Sequence, residues 1–128
     1  MKLKVSNTFM SLRFSRLVTA GCAAALVLST LPAQGAIADR VAAGKSLTME
    51  RSKGNCLACH RIEDGELPGT IGPPLVAMKV RFPERAALRE QICDATIRNP
   101  HSRMPPFCRH RILAESEVEL IIDYLYTL

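Results

Sequence analysis

The sequence predicts an all-α domain of about three helices joined by long loops. Three stretches repeat apolar residues at the three- and four-residue spacing of a helix, and none alternates apolar and polar residues as a half-buried strand does. Between them lie clusters of Gly and Pro, which end helices and favour turns. A chain of 128 residues has room for one such domain.

The first predicted helix runs from Ala38 to about Arg51. Val41 and Leu47 supply its apolar positions, and Gly54 ends it. Residues 61–75 are rich in Gly and Pro and are predicted to form a loop.

The second predicted helix opens at Pro83, because proline suits the first turn of a helix. Leu88, Ile92 and Ala95 follow at helical spacing and form one apolar face. Asn99-Pro100 ends this helix, since the residue before a proline avoids the helical conformation.

The third predicted helix reaches the C-terminus. Ser116 and Glu119 match a capping box at its start. Its apolar stripe is formed by Val118, Ile121, Ile122, Leu125 and Leu128.

The positive charge of the chain is concentrated near its N-terminus. The net charge is +5 and the pI is about 9.2, which would suit a nucleic-acid-binding protein. However, no acidic residue precedes Asp39, and residues 39–128 carry thirteen basic and twelve acidic side chains. The near-neutral remainder argues against binding to nucleic acid.

The N-terminal segment has the pattern of a Sec-type signal peptide. Residues 1–16 are basic, Leu17–Leu31 is apolar, and Ala36–Ala38 fits the small-residue cleavage rule. We therefore expect residues 1–38 to be cleaved and residues 39–128 to form a periplasmic domain without membrane attachment. A cut after Gly35 is the second choice. The alternative is a retained anchor, because Leu17–Ala38 is uncharged and long enough to span a bilayer.

Export makes the cysteines informative, because free thiols seldom persist in an oxidising compartment. Cys22 lies in the apolar signal segment and is expected to be lost with it. Four cysteines remain in the expected mature chain: Cys56, Cys59, Cys93 and Cys108.

The sequence from Cys56 to His60 reads C-x-x-C-H, the attachment signature of c-type haem. Its two thiols can form thioethers with the porphyrin, and His60 follows as the proximal iron ligand. A zinc site would need Cys93, Cys108 or His110, whose spacing is irregular. A dithiol redox site would need a strand before the motif, and none is predicted.

Met104 is the preferred second axial ligand. It is followed by Pro105 and Pro106, which hold the backbone extended and can present the thioether to a flat cofactor. His101 is the competitor. Met78 is assigned to core packing and His110 to the surface. Ligation by His and Met raises the reduction potential of a haem.

Gly72-Pro73-Pro74-Leu75 lies between the two ligands. A proximal imidazole needs an acceptor for its other nitrogen, and the carbonyl of Pro73 is the candidate. A plain turn would explain the same residues, so spacing alone leaves both interpretations open.

C-x-x-C-H, then G-P-x-L, then M-P-P before a final helix resembles the class I cytochromes c. The resemblance implies a class I cytochrome c fold, with helices wrapped around one covalently bound haem c. It also implies His60 and Met104 as axial ligands, the Pro73 carbonyl as the acceptor for His60, and Leu75 packed on the haem.

A closer resemblance is to the SoxX family, the monohaem subunits of the SoxAX cytochrome. It covers residues 39–128 and depends mainly on the segments Leu67–Leu75 and Asn99–His110. The family resemblance implies an electron-transfer subunit of a thiosulfate-oxidising enzyme complex, an L-cysteine S-thiosulfotransferase. Its implied partners are a SoxA-type subunit in a heterodimer, the SoxYZ carrier and a small electron-accepting cytochrome. The chain itself shows no catalytic nucleophile beside a base.

Cys93 and Cys108 depart from the family pattern, which has Gly at the position of Cys108. In an exported chain they suggest a disulfide that would pin the methionine loop to the middle helix. Two buried free thiols or a link to another subunit are the alternatives. The family pattern also has Thr at the position of Ala114. Because alanine cannot cap a helix with its side chain, the cap is expected to move to Ser116.

Other functions remain open at the level of sequence. The chain could be a generic periplasmic class I cytochrome c that serves another oxidoreductase, or a haem sensor with a labile sixth ligand. An arginine-rich group could bind haem propionates or a partner, or could be a solvated surface. It comprises Arg98, Arg103, Arg109 and Arg111.

Overall fold

The computed structural model describes residues 32–63 and 65–128, and this part of the chain contains helices and no strand. The predicted all-α class is confirmed for it. The described residues form four α-helices rather than about three: α1 (Pro32–Met49), α2 (Met78–Arg81), α3 (Arg85–Cys93) and α4 (Glu115–Leu125). The predicted signal segment Leu17–Leu31 and Cys22 lie outside the described residues.

Helices α1 and α4 approach each other at Gly44. A Cβ atom placed on Gly44 would lie 1.9 Å from the backbone oxygen of Leu120 and 3.1 Å from the Cβ of Tyr124. Glycine is thus required for the two backbones to come this close. One turn later, the buried Thr48 hydroxyl donates to the carbonyl of Gly44 at 2.7 Å. Helix α1 begins at Pro32, six residues before the predicted start.

The predicted cap of the last helix is wrong. Helix α4 begins at Glu115, with Ala114 as its N-cap residue. The carboxylate of Glu117 accepts the backbone N–H of Ala114 at 2.9 Å, so Glu117 is the acidic residue that satisfies the helix start. Glu119, which was expected to pair with Ser116, instead accepts a hydrogen bond from Arg85 of α3 at 2.6 Å.

The middle helix is shorter than predicted. It begins at Arg85, after Pro83, and ends at Cys93, because Asp94 adopts an extended conformation. The carboxylate of Asp94 then accepts the backbone N–H of Thr96 at 3.1 Å and caps a separate 3₁₀ turn, Ala95–Ile97. A side-chain bond of this kind offers the backbone an alternative to continuing the helix.

Helix α2 is a single turn that sequence spacing did not predict. The backbone N–H of Met78 donates to the carbonyl of Leu128 at 3.3 Å. The hydroxyl of Tyr126 donates to the carbonyl of Phe82 at 2.9 Å. These two bonds attach the segment around α2 to the C-terminal residues that follow α4.

The core lies between α3, α4, the loop that precedes α2 and the segment that joins α3 to α4. Helices α3 and α4 pack against each other, and the predicted apolar stripe of α4 is buried apart from Leu128, which is only partly covered. The loops contribute Ile62, Leu75 and Phe107 to the same cluster.

Charged side chains join the helices along one edge of this core. Arg85 of α3 binds Glu119 and Asp123 of α4, at 2.6 and 2.7 Å. Arg40 of α1 binds the same Asp123 at 2.6 Å. Asp123 therefore contacts basic side chains of two other helices, although its own helix supplies no such partner.

None of the helices in residues 32–63 and 65–128 is both long enough and apolar enough to cross a membrane.

Candidate functional site

A cavity of about 760 Å³ opens between the C-x-x-C-H turn, the Gly72–Leu75 segment and the 99–107 segment. Helices α3 and α4 form part of its wall through Leu88, Ile92 and Leu125. All six residues predicted to hold or contact a haem line this cavity: Cys56, Cys59, His60, Pro73, Leu75 and Met104. The fold thus brings together residues that are up to 48 positions apart in the chain.

The motif folds as a compact turn. Asn55 adopts a left-handed conformation, with φ of 45°, and leads into a 3₁₀ turn at Cys56–Ala58. The backbone N–H groups of Cys59 and His60 then both donate to the carbonyl of Cys56, at 3.1 and 2.8 Å. This turn presents both thiols and the imidazole to the cavity.

The Nδ1 atom of His60 lies 2.6 Å from the carbonyl oxygen of Pro73. Because a carbonyl can only accept, Nδ1 must carry the proton and donate it to this bond. The lone pair of Nε2 is therefore available to a metal ion. Of the two interpretations that spacing left open, the structure shows the one in which Gly72-Pro73-Pro74-Leu75 supplies the histidine's acceptor.

Backbone hydrogen bonds on both sides of Pro73 fix the position of this carbonyl. The N–H of Gly72 donates to the carbonyl of Cys59 at 2.8 Å, and the N–H of Leu75 donates to the carbonyl of Arg61 at 2.9 Å. The two prolines between them lack N–H groups, so no further donor has to be satisfied in this short stretch.

Gly72 lies directly against the imidazole. A Cβ atom built on it would be 2.4 Å from Cε1 and 2.6 Å from Nδ1 of His60. These atoms are the ring itself, which cannot move away without losing its bond to Pro73. The absence of a side chain at Gly72 is thus a condition for the position of His60, and spacing alone did not indicate it.

Three of the four candidate second ligands line the cavity. Met104 is half-buried, His101 is exposed, and Met78 is buried with 2% of its surface accessible. Met78 also accepts a weak hydrogen bond from Arg81 at 3.5 Å, as a packed residue of α2. His110 does not line the cavity.

Cys93 and Cys108 form a disulfide. It joins the end of α3 to the residue that follows Phe107, and the backbone N–H of Cys108 donates to the carbonyl of Cys93 at 3.3 Å. Of the three arrangements weighed for these cysteines, the structure has the intrachain bond.

The charged residues at the cavity are all basic. Arg51, Lys53, Arg81 and Arg103 line it, and no described carboxylate does.

Of the predicted arginine group only Arg103 reaches the cavity. Arg98 is paired with Glu90 at 2.7 Å and Arg109 with Asp94 at 3.0 Å, so nearby acids hold these two elsewhere. Arg51 and Arg81 were missed, since the turn after α1 and the end of α2 meet at the cavity only in the folded chain.

The Cys56 thiol differs from the reactive thiol of a dithiol redox site. Burial, together with a smaller effect of the neighbouring Cys59, raises the pKa of the Cys56 thiol to about 11. Thiol–disulfide exchange needs a thiolate, which a lowered pKa supplies. Burial therefore works against a thioredoxin-like role for this pair.

A zinc site receives no support from the geometry. No three His, Cys, Asp or Glu side chains converge anywhere in residues 32–63 and 65–128. A structural zinc ion needs four such ligands. Cys93 and Cys108, which a zinc site would have used, are bonded to each other.

Neither the protein-family models nor the curated proteins provided a match to this chain. The functional interpretation therefore depends on the residues at the cavity and on the resemblance of their sequence motifs.

Proposed function

We propose that the chain is a c-type cytochrome that transfers single electrons, and that it serves as the SoxX-type subunit of a thiosulfate-oxidising SoxAX complex. One observation carries the first part. His60 of a C-x-x-C-H turn donates Nδ1–H to the Pro73 carbonyl while both thiols and Met104 line the same cavity. The second part depends on the sequence resemblance of the segments Leu67–Leu75 and Asn99–His110.

The chemistry of the cavity fits a haem. Its walls are largely apolar, from Leu75, Leu88, Ile92, Phe107 and Leu125, which suits a porphyrin ring. Three of the basic residues at the cavity, Arg51, Arg81 and Arg103, match the two carboxylates of haem, which arginine binds well. The fourth, Lys53, is paired with Glu117 at 2.7 Å. Cys56 and Cys59 would carry the thioether bonds, and His60 and Met104 would hold the iron.

The residues at the cavity have separate tasks. The Pro73 carbonyl keeps the proton on Nδ1 of His60 and fixes the plane of its ring. Met104 offers a neutral thioether, which stabilises the reduced metal and raises the potential. The apolar wall of α3 and α4 excludes water. Bound haem would supply a one-electron couple, so two turnovers of this chain are needed for each two-electron oxidation.

In the proposed complex, this chain does not carry out the sulfur chemistry. A carrier cysteine thiol and thiosulfate form a sulfur–sulfur bond, and one proton and two electrons are released. With Cys56 and Cys59 in thioether bonds and His60 bound to iron, the described cavity would have no free nucleophile beside a base to drive this step. We assign the bond formation to the SoxA-type partner and the acceptance of the electrons to this chain, which passes them to a small cytochrome.

Haem attachment is tested by expressing the full chain in bacteria that carry the machinery for cytochrome c maturation. We expect one haem per chain that survives acid–acetone extraction, and none in the Cys56→Ala, Cys59→Ala double variant. A wild-type chain that stays free of covalent haem, while a control cytochrome matures in the same cells, would overturn the proposal.

The thiosulfate role is tested with the loaded protein. We expect its haem to be reduced by thiosulfate only when both a SoxA-type subunit and the carrier are present, and we expect it to co-purify with that subunit. A loaded protein that stays monomeric beside SoxA and is not reduced would instead support a generic electron shuttle. Fast binding of CO to the ferrous wild type would support a haem sensor.

A further inference from the structure

The 99–107 segment, which contains Met104, is attached to the rest of the domain at its two ends. At its start, the N–H of Asn99 donates to the carbonyl of Ala95 at 3.0 Å. Among the described residues, the hydrogen bonds donated by His101, Ser102 and Met104 all go to residues within the segment. Its far end is held by the buried Phe107 and by the Cys93–Cys108 disulfide.

The disulfide joins two residues that each directly follow a residue of the cavity wall. Ile92 precedes Cys93 and Phe107 precedes Cys108, and both of these neighbours line the cavity. The covalent bond therefore fixes the distance between α3 and the end of the methionine segment at the cavity itself. A segment of this kind without helical or sheet bonds samples many conformations unless its ends are constrained.

Two side chains with metal-binding atoms lie in this constrained segment. His101 and Met104 both line the cavity and are only three residues apart. Both side chains are therefore candidates for the same coordination position. The backbone N–H of Met104 is held by the Ser102 hydroxyl at 3.2 Å, and that of His101 by the Asn99 side chain at 3.0 Å, so neither bond ties the segment to the domain body.

We propose that the Cys93–Cys108 disulfide is a positioning device that makes Met104, rather than His101, the sixth ligand of the metal. The inference rests on the proposed haem function and adds to it the group that selects the ligand. Cys93 and Cys108 do not touch the metal in this arrangement; they act through the segment that they close.

The test compares the haem-loaded wild type with a Cys93→Ser, Cys108→Ser variant. The readouts are the weak red absorption band of a ferric Met–iron bond, the reduction potential, and the binding of CO to the ferrous form. We expect the variant to lose the band, to shift to a lower potential and to bind CO faster. A further His101→Ala substitution in this variant should change its spectrum again, because the competing ligand is removed.

Val118→Ala is the matched control for a loss of stability alone. Val118 is fully buried in α4 and does not line the cavity, so this variant should melt earlier and keep the Met–iron band.

If the serine variant does not load haem, the wild-type holoprotein is reduced with dithiothreitol, its two new thiols are alkylated, and the iron is reoxidised. An unchanged band and potential after either treatment would overturn the inference. A wild type with haem but without the band would count against Met104 ligation itself.

Discussion

The carbonyl oxygen of Pro73 accepts a hydrogen bond from Nδ1 of His60 at 2.6 Å, thirteen residues away in the chain. The bond requires Gly72 to lack a side chain, since a Cβ there would overlap the ring. A hydrogen bond to the ring nitrogen that does not bind the metal fixes the tautomer and the basicity of a metal-binding histidine. The Gly72–Leu75 segment is thus as much a part of the candidate site as His60.

Gly72→Ala should displace the imidazole of His60 from Pro73. Loss of a hydrogen bond to a metal-binding side chain commonly lowers metal affinity or activity by about 10–100-fold. We expect the loaded variant to show a shifted reduction potential and an altered Soret band. Thr70→Ala, at an exposed position of the same loop, is the control and should leave both unchanged. Wild-type spectra and potential in Gly72→Ala would contradict the role of this contact.

The Cys56→Ala, Cys59→Ala variant should fold poorly. Without an attached porphyrin, the cavity of about 760 Å³ leaves the apolar wall of α3 and α4 in contact with water. A domain of this size has little other core to compensate. Circular dichroism should show reduced helicity and a lower melting temperature than in the loaded wild type. Equal helicity and melting would show that the fold does not need the cofactor.

Gly44→Ala should destabilise the domain although alanine is the better helix former. At an exposed helical site the change would stabilise by about 1 kcal/mol. At Gly44 the new Cβ meets the Leu120 carbonyl, so we expect a net loss of about 1–3 kcal/mol in the free energy of unfolding. Ser46→Ala, exposed in the same helix, should change it by less than about 0.5 kcal/mol. Urea unfolding measures both, and a stabilised Gly44→Ala would disprove the close approach of α1 and α4.

The sequence was informative where structure is local. The C-x-x-C-H turn and the apolar stripe of α4 depend on residues a few positions apart, and both were predicted at their places. The cap of α4 was not, because Glu119 is drawn to Arg85 across a helix interface that no local pattern reveals. The end of α3 was missed for a related reason, since the Asp94 side chain competes with the helix for a backbone N–H.

Residues of the candidate site that sequence reasoning missed were missed for the same reason, because they depend on contacts between distant parts of the chain. His60 and Met104 were identified from motifs, whereas the cations Arg51 and Arg81 come from the turn after α1 and from the end of α2, which converge only in the folded chain. The predicted arginine-rich group on both sides of Met104 was a poor guide, because Glu90 pairs with Arg98 and Asp94 pairs with Arg109. Charge in a sequence indicates a site only when its partners are known.

Glu117→Gln should reduce the acid sensitivity of the fold. The hydrogen bond from Lys53, at 2.7 Å, lowers the pKa of Glu117 below its usual value of 4.5, and the Ala114 backbone N–H acts in the same direction. A lowered carboxyl pKa stabilises the folded state above the unfolded pKa, and this contribution is lost as the pH falls through the folded pKa. The melting temperatures of wild type and variant should therefore differ above about pH 4.5 and converge as the pH falls from there through the lower pKa of folded Glu117.

Glu115→Gln is the control for Glu117→Gln, because it removes the same charge from the first turn of α4 at an exposed position. Its effect on melting should change less between neutral and acidic pH. If both variants lose stability in parallel at every pH, the Lys53–Glu117 contact does not contribute to the acid response.

Met104→Ala and Met78→Ala should separate ligation from packing. Both methionines line the cavity, but Met78 is buried at the start of α2 and Met104 lies in the segment that the disulfide closes. Met104→Ala should abolish the Met–iron band, lower the reduction potential and allow fast CO binding to the ferrous form. Met78→Ala should keep the band and lose about 2–5 kcal/mol of stability, as truncated core residues do. If Met78→Ala instead lost the band and Met104→Ala kept it, Met78 would be the ligand and Met104 a packing residue, since only the side chain bonded to the metal can alter the band directly.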